Sequence, residues 1–278
     1  MILFETVSGI GSAGDGAATI ETGEGTNIIF TGAGADTITI GGGNDFIFAG
    51  EGANTITGLG GDKIIIVGAG ADTITVTSGN NTIHAGDGAN TITATNGDNV
   101  IIAGTGVDTI TTNGGNSYFD AGNGANTITT GAGNDTIISG IDADVIASSA
   151  GNDTIIGGGG ADRLSGGLGA DLFKYLQVSD APYFLLSMET IGDFNTAEGD
   201  RIDLSAIDAI SSTVINDAFT FLGFAGFSTT NASGQLIFDY DASLNLGALF
   251  GSVNSDVTPE FAILLPGVQT LNGTHLVL

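Results

Sequence analysis

Residues 50–57 read GEGANTIT, and the phrase returns as GDGANTIT at 86–93 and as GNGANTIT at 122–129. Midway between these copies stand GAGADTIT at 32–39, GAGADTIT at 68–75 and GTGVDTIT at 104–111, so Asn and Asp versions alternate at one fixed interval. Worked outward from these copies, the chain divides without insertion from Gly14 to Tyr175 into eighteen units of nine residues. The seventh place of every unit is large and apolar, from Ile20, Ile29 and Ile38 to Leu164 and Phe173. One inward side chain per unit, flanked by two outward ones, predicts a three-residue strand, because alternate strand residues face opposite sides. The glycines ahead of it allow a tight loop. Two units then make one turn of a flattened solenoid, with odd strands on one face and even strands on the other.

Composition narrows what such a solenoid can do. The chain has 278 residues, 48 glycines, 3 prolines, 31 acidic against 4 basic residues and no cysteine, and 41% of it is hydrophobic, enough to bury a core. A net charge of −27 argues against nucleic acid and anionic membrane surfaces and favours cations. Without cysteine there are no disulfides, thiolate metal sites or thiol nucleophiles. MILFETVSG lacks the basic and apolar regions of a cleaved signal peptide, and no run of about 18 apolar residues offers a membrane span.

The units resemble the RTX nonapeptide GGxGxDxUx, whose complete form stands in GGGGADRLS (157–165) and GGLGADLFK (166–174). The resemblance implies an all-β fold, a right-handed parallel β-roll (a solenoid with two nonapeptides per turn) capped by a C-terminal β-rich module, with several Ca²⁺ ions held between stacked loops. It divides the chain into a lead-in at 1–13, the roll at 14–175 and the module at 176–278. Its metal-ligand position falls on Asp36, Asp45, Asp72, Asp108, Asp135, Asp144, Asp153, Asp162 and Asp171. Calcium prefers six to eight hard oxygen ligands, which carboxylates and loop carbonyls supply. Asn occupies the position at 27, 54, 81, 90, 99 and 126, while Ala18, Lys63 and Ser117 break it. Asn54 and Asn90 count as weaker ligands, compensated three residues earlier by Glu51 and Asp87; the alternative is that Asn only ladders amides between turns. The five successive Asp units of 131–175 are expected to bind most tightly. Lys63 has no lone pair to offer a metal and is expected to replace an ion electrostatically, reaching Asp45 or Asp62.

The residues flanking each inward position differ between the faces. The odd face carries Thr-x-Thr ranks, among them Thr55/Thr57, Thr73/Thr75, Thr91/Thr93 and Thr109/Thr111. Such ranks resemble the ice-binding faces of some antifreeze proteins, although Thr is also simply a soluble strand former. The even face carries Phe30, Phe46, Phe48, Ile64, Ile66 and Ile102, an apolar strip that predicts a contact, either with the C-terminal segment or, as we favour, with another molecule.

After Tyr175 the nine-residue clock stops. ETIGDFNTAEGDRIDLSAIDA (189–209), GQLIFDYD (234–241) and EFAILLPGVQTLNGTHLVL (260–278) resemble the segment that follows the repeats in serralysin proteases and mannuronan epimerases, although THLVL departs from the usual acidic and apolar ending. This implies export by type I secretion machinery without a cleaved leader, and hence an extracellular protein that folds on meeting calcium. The enzymes do not follow: HExxHxxGxxH and GxSxG are absent, and the only histidines are His84 and His275. The expected function is therefore a non-enzymatic, secreted structural or adhesive role with self-association or surface attachment. Two rivals stand beside it, the carrier region of a larger hydrolase or toxin and ice binding through the Thr face.

Overall fold

The computed structural model describes residues 2–4, 9–183 and 187–278. They fall into two compact units, Met1–Ser139 and Gly140–Leu278, both built of short strands. The rest of the expected lead-in, residues 1 and 5–8, and residues 184–186 of the expected module lie outside the described residues.

In the first unit the chain alternates between two parallel sheets. Thr19–Thr22, Thr37–Ile40, Thr55–Gly58, Thr73–Val76, Thr91–Ala94, Thr109–Thr112 and Thr127–Thr129 form the odd sheet. Ile10–Ser12, Ile28–Phe30, Asp45–Gly50, Lys63–Val67, Thr82–His84, Val100–Ile102, Tyr118–Asp120 and Thr136–Ile138 form the even sheet. Partners are offset by two nonapeptides, as in Ile38↔Ile56 and Ile83↔Ile101. Ile2–Phe4 keeps the same offset against Thr19–Thr22, so strand pairing already begins ahead of Gly14. This is a parallel β-solenoid in which each turn takes up two nonapeptides.

The pattern predicts one inward residue per unit, and the structure buries three. Besides the seventh, the fifth residue is buried from Asn27 to Asp171 and the ninth from Thr31 to Tyr175. Places five, seven and nine are i, i+2 and i+4 of an extended chain and therefore share a face. The ninth place is lined largely by small residues such as Ala49, Ala85, Ala103 and Ala121, and Thr31 there donates its Oγ1 to the Ala49 carbonyl at 2.7 Å. The buried polar fifth place is the feature that positions the site.

Loop glycines are required where turns touch. Gly88 and Gly124 have φ of 124° and 127°, and a Cβ on either would overlap the carbonyl of Gly70 or Gly106, the residue one turn before it.

The second unit opens with the same alternation, Val145–Ala147 against Arg163–Ser165 and Thr154–Ile156 against Leu172–Lys174. Beyond Tyr175, where the nine-residue spacing stops, Glu189–Ile191 still pairs in parallel with Arg163–Ser165, and Arg201–Asp203 with Leu172–Lys174. The chain makes a further turn after longer excursions. Phe261–Pro266 adds in parallel to Glu189–Ile191 and leads into an antiparallel meander with Leu246–Ser252 and Gln235–Asp241. That sheet ends on the two-residue strand Thr220–Phe221, a short edge that offers little for edge-to-edge pairing.

Candidate metal centre

Each loop delivers its fifth residue, side chain inward, into the path of the neighbouring loop. Except where that residue is Ala18 or Lys63, which have no side-chain oxygen, the ladder runs through it: one side-chain oxygen accepts the backbone N–H of its counterpart one turn earlier. Along the odd edge Ala18 N–H donates to Asp36 Oδ1 at 2.7 Å, Asp36 to Asn54 at 3.1 Å, Asn54 to Asp72 at 2.6 Å, Asp72 to Asn90 at 3.0 Å, Asn90 to Asp108 at 2.7 Å and Asp108 to Asn126 at 2.8 Å. Asp and Asn do this job equally well, since each has one acceptor to give.

They differ in the second atom. Asn54 Nδ2 donates to the Gly52 carbonyl at 2.9 Å, Asn81 Nδ2 to Gly79 at 2.8 Å, Asn99 Nδ2 to Gly97 at 2.8 Å, and Asn90 Nδ2 to Gly88 at 3.1 Å and Gly86 at 3.2 Å. With Asp in the same place, an oxygen replaces that donor. Oδ2 of Asp36, Asp72, Asp108, Asp162 and Asp171 is buried without a hydrogen-bond partner. A buried carboxylate oxygen beside carbonyl oxygens is repelled by them, and leaving such a group unsatisfied costs at least about 1–3 kcal/mol. A hard cation reverses the sign of every one of these contacts. The two complete units leave space on this side as well: a Cβ on Gly157 would overlap Asp162 Oδ2, and one on Gly166 would overlap Asp171 Oδ2. The donor set thus fits calcium. Among the described residues no three acidic or imidazole side chains gather at one point, so a bound ion would take much of its coordination from backbone carbonyls.

The electrostatics agree. Burial pushes Asp108 up to about 6, and Asp162 to about 6 with the Asp180 charge adding to burial. Asp171 rises to about 7, first through burial and then through Asp200, Asp153 and Asp193. Burial also raises Asp72 and Asp135. Metal-free, these carboxylates are driven toward protonation, because burial outweighs the hydrogen bonds they accept.

The remaining expected residues take varied places. Asp144 and Asp153 are buried at the fifth place, with their N–H groups on Asp162 Oδ1 (2.8 Å) and Asp171 Oδ1 (2.9 Å). Asp135 Oδ1 accepts Ser117 N–H at 2.8 Å. Glu51 and Asp87 sit in the loops with exposed side chains: Glu51 accepts Ala69 N–H at 2.8 Å, and Asp87 accepts Thr105 N–H at 3.0 Å and its hydroxyl at 2.7 Å, bonds that lower the Asp87 pKa. Lys63 is fully buried, and its Nζ lies 3.1 Å from Asp45 Oδ2, 2.5 Å from the Gly43 carbonyl and 2.6 Å from that of Gly60. Of the two acids expected for it, Asp45 is the partner.

Two residues of the ladder escape the nine-residue clock. Asp162 N–H donates to Glu189 Oε2 at 2.7 Å, and Asp171 N–H to Asp200 Oδ1 at 3.0 Å. Glu189 is fully buried, its pKa is raised by burial and by Asp162, and Oε1 accepts the buried Tyr175 hydroxyl at 3.2 Å. The signal was present in ETI (189–191) and DRI (200–202), which keep the order acid, any residue, apolar residue.

Fold and loops together define a parallel β-roll built to hold cations between stacked turns. The model of the RTX calcium-binding nonapeptide repeat matches residues 12–47, 39–74, 66–101, 75–110, 102–137, 111–146 and 138–173, and the chain belongs to that family. Among solved structures it is similar to the AlgE6R2 subunit of the mannuronan C5-epimerase of Azotobacter vinelandii, at 21% identity and TM-score 0.39 over 57% of this chain and 89% of that one. It is also similar to the AlgE6R3 subunit of the same enzyme, at 20% identity and TM-score 0.30 over 69% and 78%. Among curated proteins none matches this sequence. No helix of the described residues is long and apolar enough to cross a membrane.

Proposed function

We propose that the protein is a secreted, non-enzymatic structural or adhesive roll, with calcium held at the Asp loops and an apolar sheet face that associates with a second copy. One observation carries the reading. In the even sheet of the first unit Phe30 and Phe48, each 42% exposed, stand in one column, and Ile64 (46%), Val100 and Tyr118 stand in the other, with the rank Thr82/His84 between Ile64 and Val100. Phe46 lies in the second column and Ile66 and Ile102 in the first, all three half-buried. A row of apolar side chains set about 4.8 Å apart along a flat sheet is self-complementary, since a second copy presents the same spacing. Export through type I machinery to a calcium-rich exterior, where metal binding adds folding free energy, accords with the −27 charge and the likeness of 189–278 to the segments that follow such repeats. Light scattering and electron microscopy at millimolar calcium test it: assemblies are expected for the natural chain and monomers for Phe48→Asp. Monomers of the natural chain overturn it.

The odd face supports a second reading. Thr55, Thr73, Thr91 and Thr109 form one exposed column and Thr57, Thr75, Thr93 and Thr111 a half-buried one, in unbroken register. Thermal hysteresis that is lost in Thr91→Tyr would establish ice binding.

A further inference from the structure

The loops of the even edge differ from those of the odd edge in a way the repeat consensus does not contain. Between residues 27 and 117 the fifth place reads Asn27, Asp45, Lys63, Asn81, Asn99 and Ser117. One carboxylate stands in six turns, and it faces the one buried ammonium. Lys63 Nζ is surrounded by Asp45 Oδ2 at 3.1 Å and the carbonyls of Gly43, Gly60 and Gly61 at 2.5, 2.6 and 3.4 Å. Two of these carbonyls come from its own loop and the other oxygens from the preceding turn, so the ammonium bridges stacked loops through oxygen ligands. Lys63 also interrupts the side-chain ladder. Having no acceptor, it leaves Asp45 N–H to the backbone carbonyl of Asp62 at 3.1 Å, while its own N–H continues the ladder to Asn81 Oδ1 at 3.0 Å.

The neighbouring loops are closed by neutral donors. Asn27 Nδ2 reaches the Gly25 carbonyl at 3.1 Å and Asp45 Oδ1 at 3.0 Å, and Asn81 Nδ2 reaches Gly79 at 2.8 Å and Asn99 Oδ1 at 2.9 Å. Asn99 Nδ2 reaches Gly97 at 2.8 Å, and Asn99 N–H ends on Ser117 Oγ at 3.0 Å. On the odd edge over the same span, Asp36, Asp72 and Asp108 each bury an Oδ2 that no donor meets.

We propose that Lys63 is the resident cation of the even edge, that the Asn loops beside it are sealed by their own amides, and that between residues 27 and 117 calcium binds the odd edge alone. One edge of the roll is then held by covalently tethered donors at any calcium concentration, and the other only when the ion is present. The inference rests on the calcium reading of the Asp loops.

The test counts calcium bound per full-length chain, by equilibrium dialysis and elemental analysis, in the natural protein, Lys63→Asp and Asn81→Asp. Replacing the ammonium by a carboxylate recreates an Asp loop stacked on Asp45, so Lys63→Asp is expected to bind one more ion than the natural chain. Asn81→Asp, which keeps Lys63, is likewise expected to gain one. Amide hydrogen exchange supplies a second readout. Residues 61–67 are expected to stay protected without calcium in the natural chain and to need calcium in Lys63→Asp. An unchanged ion count in both variants overturns the proposal, as does a Lys63→Asp chain that remains unfolded at saturating calcium. A natural chain that binds no calcium overturns the reading of the Asp loops themselves.

Discussion

Asp45 and Asp162 hold the same place in the repeat, and each gives Oδ1 to the turn before it, yet their second oxygens meet opposite surroundings. Oδ2 of Asp45 lies against the Lys63 ammonium, and Oδ2 of Asp162 against nothing that donates. Both loops must offset a buried negative charge. A tethered cation does so once the chain is folded, whereas an exchangeable one does so only at sufficient concentration. On the proposed calcium reading of the Asp loops, the same backbone accommodates a permanent joint and a conditional one.

The largest effect expected to break or sharpen this contrast is calcium removal. At neutral pH an excess of chelator should abolish amide protection around Asp162 and Asp171 and leave it in place around Lys63, as followed by hydrogen exchange. Uniform loss would erase the distinction between the loops. Next in size is Lys63→Met, which keeps the packed stem and deletes the charge. Stranding a buried partner costs about 3–5 kcal/mol, to be read from denaturant unfolding at fixed calcium. A change below about 1 kcal/mol, the scale of an exposed pair, would deny the ammonium its role.

Asp108→Asn runs in the other direction. It gives the loop its own donor, so the calcium-free chain should gain about 1–3 kcal/mol while the calcium-loaded chain binds less metal. Smaller still is the effect of pH on the calcium-free protein. Asp108 and Asp162 near 6 and Asp171 near 7 lie above their ordinary 3.8. Burial disfavours their charged forms, so the destabilisation is absent below the ordinary value and grows as pH rises through the folded values. The calcium-free melting temperature should therefore climb as pH is lowered from about 7.5 to about 5, by a few degrees per kcal/mol recovered. A falling curve would contradict the burial assignment. Least of all, Thr91→Tyr on the open column should alter stability by no more than about 0.5 kcal/mol, which makes it a clean probe of that face.

The strand clock was legible because Ile at the seventh place is both apolar and periodic. The fifth and ninth places were harder to read as interior. Asp and Asn look like loop surface until their hydrogen bonds are known, and Ala, Thr and Ser carry little hydrophobic signal. Lys63 could be assigned by elimination, because a residue without lone pairs cannot ligate a metal, but its choice of Asp45 over Asp62 depends on which acid points inward. Glu189 and Asp200 were hidden by the spacing of 27 and 29 residues that separates them from Asp162 and Asp171. Only their acid–x–apolar triplets preserve the roll's grammar once the interval is lost.

The fixed offset between stacked turns also governs how such a chain can lengthen or shorten over generations. Gly88 lies so close to the Gly70 carbonyl, and Gly124 to that of Gly106, that neither place has room for a Cβ, so each turn is moulded on the one before. Losing a single nonapeptide would exchange the two faces for everything downstream, setting threonine columns against phenylalanine and the Lys63 edge against the Asp edge. Duplicating one turn would preserve the faces but put Asp beside Asp on the alternating edge. Only a pair of turns, one carrying Asp and one carrying Asn, restores the neighbours along that edge, and that is the interval at which GEGANTIT returns in altered copies.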